Sequence, residues 1–497
     1  MGTAGEGIGQ GPPRKGLGRM GSAQPDRPEG LAFVEILRRV PRYGRFLTVE
    51  ELEARARKLA AGTCGLAEWT VLGHSRAGHP IGVLRLGKGR RRAVLIGCPH
   101  PNEPVGAMTV DFLAHDLVAN PGLADRLDTT WFMVPCADPD GTRLNEGWFG
   151  GPFTITLYAR HFYRPPATQQ VEWTFPFRYR KAHFERPMPE TQALMRLIDE
   201  VRPHFVYSLH NAGFGGVYFY LSREGEPRLY EELHGIVREA GVPLALGEPE
   251  VPWAQRFERA IFKLPEAREA YDFFARFVDE ERVPGMMHGG GSSAEYAGRH
   301  GALTFVCEVP YFYDARIEDN TSTGQSRRET VRQAIEASRQ WLAIAQPALD
   351  VLRPHVVAAQ AAGRPGAGAA AAMAATLEER VAKLPGQLEA RQRWAESDPE
   401  LERPATVAES FDSLVVMRFY ELLNLGILLR LCAELTRDGR GALDEVERVQ
   451  DKVERAFSQW AQQLEHELAY RAIEIPRLVA LQTAGGLAVL RRVVPAD

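Results

Sequence analysis

The run Ala93-Val94-Leu95-Ile96-Gly97-Cys98 passes directly into Pro99-His100-Pro101-Asn102-Glu103-Pro104, and then into an apolar-periodic stretch from Val105 to Ala119. No other segment constrains the chain as much. The first run is short, apolar and bounded by Gly and Pro, as a buried strand is, and the last has helical spacing. The Pro-rich turn therefore joins a strand to a helix, and ligands in open α/β sheets bind at the carboxyl ends of strands. A His and a Glu three residues apart can aim an imidazole nitrogen and a carboxylate at one point. Zinc accepts such ligands, and a catalytic site adds a third ligand and an open position for water. Alone the pair is a weak signal, because a turn His beside a solvated Glu is the commoner outcome.

The length of 497 residues suits two or three domains, and 44% hydrophobic with 25% charged residues suits a sizeable core. A net charge of −4 gives no nucleic-acid footprint. The five cysteines (Cys64, Cys98, Cys136, Cys307, Cys432) form no CxxC pair, and three lie in strand-like runs. That usage fits reduced core thiols in a cytoplasmic protein. Residues 1–29 are Gly- and Pro-rich without the apolar core of a signal peptide, and are expected to be a disordered tail. The richest apolar run, Leu414 to Leu435, is interrupted by Arg418, Glu421 and Arg430, so no membrane span is expected.

Strand and helix patterns alternate up to about residue 350. This predicts an α/β fold: a mixed, mostly parallel twisted sheet with helices on both faces, plus an α-helical C-terminal region. Helices are expected over Thr48–Ala61, Glu190–Val201, Pro227–Ala240, Arg256–Asp279 and Gln325–Leu352, and strands over Ile81–Leu86, Trp131–Pro135, Phe205–Leu209, Pro243–Leu246 and Leu303–Val309. Thr142 to Pro187 is long, irregular and dense in aromatics and Arg, which marks a functional or flexible segment. The expected division is a hydrolase domain at 30–352, an Ala/Gly-rich linker at 353–375, whose part from Ala358 to Ala375 also reads as a loosely packed helix, and a helical domain at 376–497. That last domain suits an oligomerisation arm, a lid or a packed bundle.

His210, in Ser208-Leu209-His210-Asn211, also ends a predicted strand, although a lone strand-end His is usually unremarkable. With the turn it completes a His₂Glu set suited to a hydrolytic zinc site. Such a site needs a base beside its water. Glu308 is the candidate, because its apolar run, Thr304 to Pro310, would not bury a charge without cause.

In this order the motifs resemble the zinc carboxypeptidase (metallocarboxypeptidase) family over about residues 45–345. Pro99–Gly106 resembles its ligand turn and Asp138–Gly141 its Asn-Pro-Asp-Gly turn. Pro189-Glu190-Thr191 is similar to the start of the helix before the last ligand, and Gly290–Glu308 to the loop and strand that end in the catalytic Glu. The resemblance implies one Zn²⁺ per chain on His100, Glu103 and His210, with Glu308 moving the proton. It implies Arg143 as the oxyanion partner, and Asn145, Arg160, Arg164 and Ser293 as substrate-binding residues, with Arg160 preferred to Arg164 for the terminal carboxylate. It departs from the family at Met286-Met287-His288, where a substrate Tyr is usual, and at Ala159 and Leu157. The implied activity is metal-assisted cleavage of a C-terminal peptide amide. Two alternatives are a deacylase acting on an N-acyl amino acid or other non-peptide amide, and a silent binding scaffold. The expected partner is a peptide or small amide, with no nucleic acid, no membrane, and self-association through the helical region left open.

Overall fold

The strand read from Ala93–Cys98 lies fourth in the order of a nine-stranded sheet. The computed structural model describes residues 33–437 and 444–493, so the tail expected over 1–29 lies outside the described residues. The strands are β1 (Ala67–His74), β2 (Pro80–Leu86), β3 (Arg91–Ile96), β4 (Thr129–Val134), β5 (Phe205–Ser208), β6 (Tyr218–Leu221), β7 (Arg256–Glu258), β8 (Ile261–Lys263) and β9 (Leu303–Glu308). Their order is β1-β2-β4-β3-β5-β9-β6-β8-β7. The central neighbours β4, β3, β5 and β9 are parallel, and β6 pairs β8 in parallel. The edges and the β9–β6 contact are antiparallel, so the sheet is mixed, with parallel pairing concentrated at its middle. The expectation of a mostly parallel sheet is corrected to that extent.

Helices cover both faces. The relevant ones are α1 (Val49–Gly62), α2 (Pro104–Ala119), α3 (Ile155–His161), α4 (Pro189–Val201), α5 (Ser293–Gly298), α6 (Arg327–Ala361), α7 (Ala367–Ser397), α8 (Met417–Thr436), α9 (Asp444–Glu467) and α10 (Ile475–Leu490). On one face Ala193, Leu194, Leu197 and Ile198 of α4 pack with Ile81, Val94, Ile96 and Val206. On the other, α2 is buried almost all round because α10 lies against it, with Thr109 Oγ1 donating to Gln482 Oε1 at 2.8 Å. A Cβ on Gly486 of α10 would come within 2.3 Å of the Tyr207 ring, so this helix sits directly on the sheet.

Two short strands, β10 (Phe312–Tyr313) and β11 (Arg471–Ala472), pair antiparallel. Helices α6 to α9 lie between them in sequence. The chain thus leaves the sheet at β10, builds a helical layer and returns beside its exit before adding α10. Residues 353–375, expected as a linker, are helical except for 362–366: α6 runs on to Ala361 and α7 starts at Ala367. Alanine favours helix strongly, and low complexity alone does not distinguish a linker from an Ala-faced packing helix. Ala370, Met373, Ala374 and Leu377 of α7 are buried. Glu421, which breaks the apolar run of α8, is fully buried and takes two 2.8 Å bonds from Arg380 of α7. No helix among the described residues is long and apolar enough to cross a membrane.

Two further expectations change. The helix predicted over Arg256–Asp279 is the β7–β8 hairpin followed by a helix at Ala267–Phe277; Pro265 and the capping box of Glu266 with Glu269 set that later start. Pro243–Leu246 forms no strand, only a bridge between Leu244 and Val217.

Candidate metal centre

The turn after β3 is held from several sides. Glu103 N–H donates to the His100 carbonyl at 3.1 Å, and Pro104 opens α2. Asn102 Nδ2 donates to the Tyr158 hydroxyl at 3.3 Å, and the Tyr311 hydroxyl donates to the Asn102 carbonyl at 2.7 Å. Tyr158, from the aromatic segment, is itself buried on α3 against Trp148, Tyr311 and Phe419. Gly106, in the first turn of α2, lies so close to the end of β5 that a Cβ there would meet the Leu209 carbonyl at 2.7 Å. That approach brings His210 to the turn.

His100, Glu103 and His210 are all buried, and their ligand atoms lie within 4.8 Å of one another. The His100 and His210 ring centroids are 4.8 Å apart. Burial, with the charge of Arg164 and the neighbouring imidazoles His210 and His288, holds His100 well below the ordinary histidine value, so it is a neutral ligand. Its Nδ1 is buried without a hydrogen-bond partner.

His210 is oriented by a relay. Ser208 Oγ donates to Glu172 Oε2 at 3.3 Å and lies 2.9 Å from His210 Nε2. A hydroxyl that donates to the carboxylate accepts from the ring, so Nε2 carries a proton and Nδ1 is the atom turned to Glu103. Glu172 is fixed in turn by Ser293, whose N–H and Oγ donate to Oε1 at 3.1 and 2.8 Å. His210 Nδ1 and Glu103 Oε2 are 3.1 Å apart. A ring nitrogen and a carboxylate oxygen this close in a buried site call for a proton or a metal ion between them. Burial opposes charging His210, yet Glu103 outweighs it and pushes the imidazole up to about 9. A metal satisfies the same demand, and the N, N, O donor set with an orphaned second imidazole fits zinc.

Glu308 ends β9, next to β5, and is 8% exposed. Burial and the carboxylates Glu103 and Glu250 push it well above the ordinary range, against the pull of His210 and Arg164. It therefore lies within electrostatic reach of His210, Glu103 and Arg164.

The expected arginines separate. Arg164 joins the cluster: Nη1 donates to Glu103 Oε1 at 3.3 Å and Nε to Gln170 Oε1 at 3.1 Å. Arg143 instead pairs with Glu50 of α1 at 2.7 Å and donates to the Pro139 carbonyl. Arg160 makes a two-pronged contact with Glu454 of α9, at 3.0 and 2.6 Å, over the Phe457 ring. Asn145 is fully buried, its amide saturated by the Gly141 and Tyr163 carbonyls and the Tyr163 N–H. Ser293 is fully buried on Glu172.

Sequence reasoning missed Glu172, Ser208 and the contribution of α7. Trp173 lies between His100 and His288, with centroids at 6.1 and 5.9 Å. His288 itself is exposed to solvent at the edge of the cluster. One face of α7 fastens the loops that carry these groups. Thr376 Oγ1 donates to the Arg164 carbonyl at 3.0 Å, Glu379 accepts from Ala167 N–H at 2.6 Å, Lys383 donates to the Met287 carbonyl at 2.7 Å, and Gln387 to that of Met286 at 3.0 Å. Spacing of three and four residues signals such a face, but only a known partner shows what it grips.

Residues 52–245 match the family model described as zinc carboxypeptidase. The matched stretch holds His100, Glu103 and His210; Glu308 lies beyond it. No curated protein matches the chain. Among solved structures, carboxypeptidase A from Helicoverpa armigera is similar at 18% identity and TM-score 0.35, over 54% of this chain and 65% of that one. A metallo-carboxypeptidase from Burkholderia cenocepacia follows at 16% and 0.32, over 55% and 61%. The murein-tripeptide amidase from Escherichia coli O157 is similar at 18% and 0.25, over 51% and 87%. The chain thus spans less than two thirds of the length of the two carboxypeptidases. The family match covers residues 52–245, less than half of the chain, and over that stretch the chain is similar to the zinc carboxypeptidase family.

Proposed function

We propose that the protein is a zinc-dependent hydrolase that cleaves a peptide amide, at a C-terminus, with water as the nucleophile. The observation that carries this reading is the convergence of His100, Glu103 and His210 from two neighbouring strand ends, with Glu308 on the next strand. His100, Glu103 and His210 would hold the zinc, which would supply Lewis acidity at this site. Glu308 takes the water's proton and returns it to the leaving amine; its buried setting keeps its affinity for a proton high enough for both halves of that exchange. Arg164 serves the carboxylate of the substrate, in place of Arg160. Ser208 and Glu172 keep the His210 proton on Nε2, away from the ligand atom.

A deacylase or other amidohydrolase acting on a non-peptide amide is the second reading. It is favoured by the engagement of Arg143 and Arg160 elsewhere, which leaves Arg164 beside Glu103 without the second arginine a carboxypeptidase clamp would use.

The test is a digest of peptides and N-acyl amino acids by the zinc-loaded protein, read by mass spectrometry, with Glu308→Gln as the blank. The expected result is release of C-terminal residues, lost on chelation and reduced about 10²–10⁴-fold in Glu308→Gln. Equal rates on free and amidated C-termini would transfer the assignment to the amidohydrolase reading. An absence of bound zinc would sink both.

A further inference from the structure

Beside the metal centre, on the side away from Arg164, stands an exposed carboxylate that the reaction above does not use. Tyr218 lies directly opposite Glu308 in the β9–β6 ladder, so the two side chains share a face. Tyr220, two residues on, shares it too. Both phenols donate to Glu250: Tyr218 to Oε1 at 2.5 Å and Tyr220 to Oε2 at 2.9 Å. Glu250 belongs to no helix or strand and is exposed. A carboxylate has about four lone-pair positions. The tyrosines take two and fix the group, leaving the others to solvent. Tyr420 of α8 completes this wall, within electrostatic reach of both Glu250 and Glu308.

Sheet order sets the layout. His100 and Glu103 follow β3, His210 follows β5, Glu308 ends β9, and Tyr218 opens β6. These four strands are consecutive neighbours. Arg164 marks the β3 end of the row through Glu103, and Glu250 marks the β6 end through Tyr218. Three strand spacings separate the ends, about 14 Å, less whatever the side chains reach inward. The row is cationic at one end and anionic at the other, with the metal ligands and Glu308 between.

We propose that Glu250 is a specificity residue that binds a cationic group of the substrate, an ammonium or guanidinium, on the far side of the scissile amide from the carboxylate held at Arg164. The substrate class is then a short zwitterionic peptide or amide whose opposite charges are a few residues apart. Glu250 is held by two phenols, and no cationic side chain pairs with it among the described residues, so a charge-assisted hydrogen bond from the ligand there adds to binding. This inference rests on the hydrolase reading for its substrate orientation, but Glu250's preference for a cation can be measured without turnover.

The experiment compares two tripeptide twins, Lys-Ala-Ala with free amines and the same peptide acetylated at both amines, each with a free C-terminal carboxylate. Binding is measured by calorimetry to zinc-loaded Glu308→Gln protein, with and without Glu250→Gln, and turnover by the wild type is measured alongside. The expected result is at least a tenfold preference for the cationic twin. That ratio falls to near one in Glu250→Gln and is partly kept in Glu250→Asp. Because each ratio is taken within one protein preparation, partial misfolding cancels. Equal binding of the twins, or a preference that survives Glu250→Gln, overturns the assignment. A Glu250-dependent preference without any hydrolysis by the wild type supports the subsite and refutes the hydrolase reading instead.

Discussion

The relay behind His210 can be reversed by one atom, and Glu172→Gln does so. In the wild type Ser293 N–H and Oγ donate to Oε1, and Ser208 Oγ donates to Oε2. A backbone N–H cannot accept, so in the Glu172→Gln variant the new amide must keep its oxygen toward Ser293 and turn its nitrogen toward Ser208. Ser208 Oγ then receives a hydrogen bond where it used to give one, and its own proton points to His210 Nε2. Nε2 must then give up its proton, leaving the ring protonated on Nδ1 alone, the atom that faces Glu103 at 3.1 Å. Zinc binding has to undo that tautomer. A partner of this kind is worth about 10–100-fold in metal affinity, or about 1.4–2.7 kcal/mol. The metal-free fold loses little, because both Ser293 bonds survive and a buried charge is removed. Burial already pushes Glu172 above the ordinary carboxylate range, which shows how costly that charge is to hold. Competition of the purified protein against a fluorescent zinc chelator measures the affinity, and thermal melts of the metal-free forms control for folding. A zinc affinity within threefold of wild type would refute the relay as described.

Asp138 and Gln482 offer two further checks. Burial raises Asp138 to about 7, with Glu190 adding to the shift and the Gly141 N–H opposing it. A group raised in the folded state stabilises it fully below its unfolded value near 3.9, and that contribution is lost as pH rises through 7, at about 1.4 kcal/mol per pH unit. Asp138→Asn should therefore flatten the fall in stability between pH 4.5 and 8, and denaturant titrations giving parallel curves for the two proteins would contradict this. Gln482 is fully buried and bonds Thr109, the His210 carbonyl at 2.6 Å and the Cys307 carbonyl at 3.3 Å. Gln482→Ala strands these partners and should cost about 2–4 kcal/mol in urea unfolding; a loss under 1 kcal/mol would show that the contacts are replaced by water.

The residues that define the metal cluster are readable in the sequence because each sits at a strand end in a short local motif. Pro99–Pro104 announces its turn through Pro, and His210 and Glu308 stand out as polar residues closing apolar runs. The sheet's middle is readable for the same reason. What supports the cluster is not. Glu172 lies in an aromatic stretch without periodicity, and its partners Ser208 and Ser293 are 36 and 121 residues away. Resemblance alone singles out Arg143 and Arg160, yet the ion pairs they form depend on Glu50 and Glu454, surface residues of helices that local pattern cannot dock. Of the two readings of the Ala-rich stretch, linker or loosely packed helix, composition cannot choose, because it does not report packing. Glu250 carries no motif at all; it matters only because two tyrosines of β6 point at it.

The bonds from Gln482 to the His210 and Cys307 carbonyls also order events in time. His210 and Gln482 are 272 residues apart. At ribosomal speeds of about 5–20 residues per second, His210 waits roughly 14–54 s for the helix that props it. Through that interval the nascent polypeptide carries its cluster on an unsupported sheet face. Newly made chains should therefore capture metal late, after the last helix docks, and a chain stalled before residue 475 should emerge folded in its outer layers yet without a competent centre.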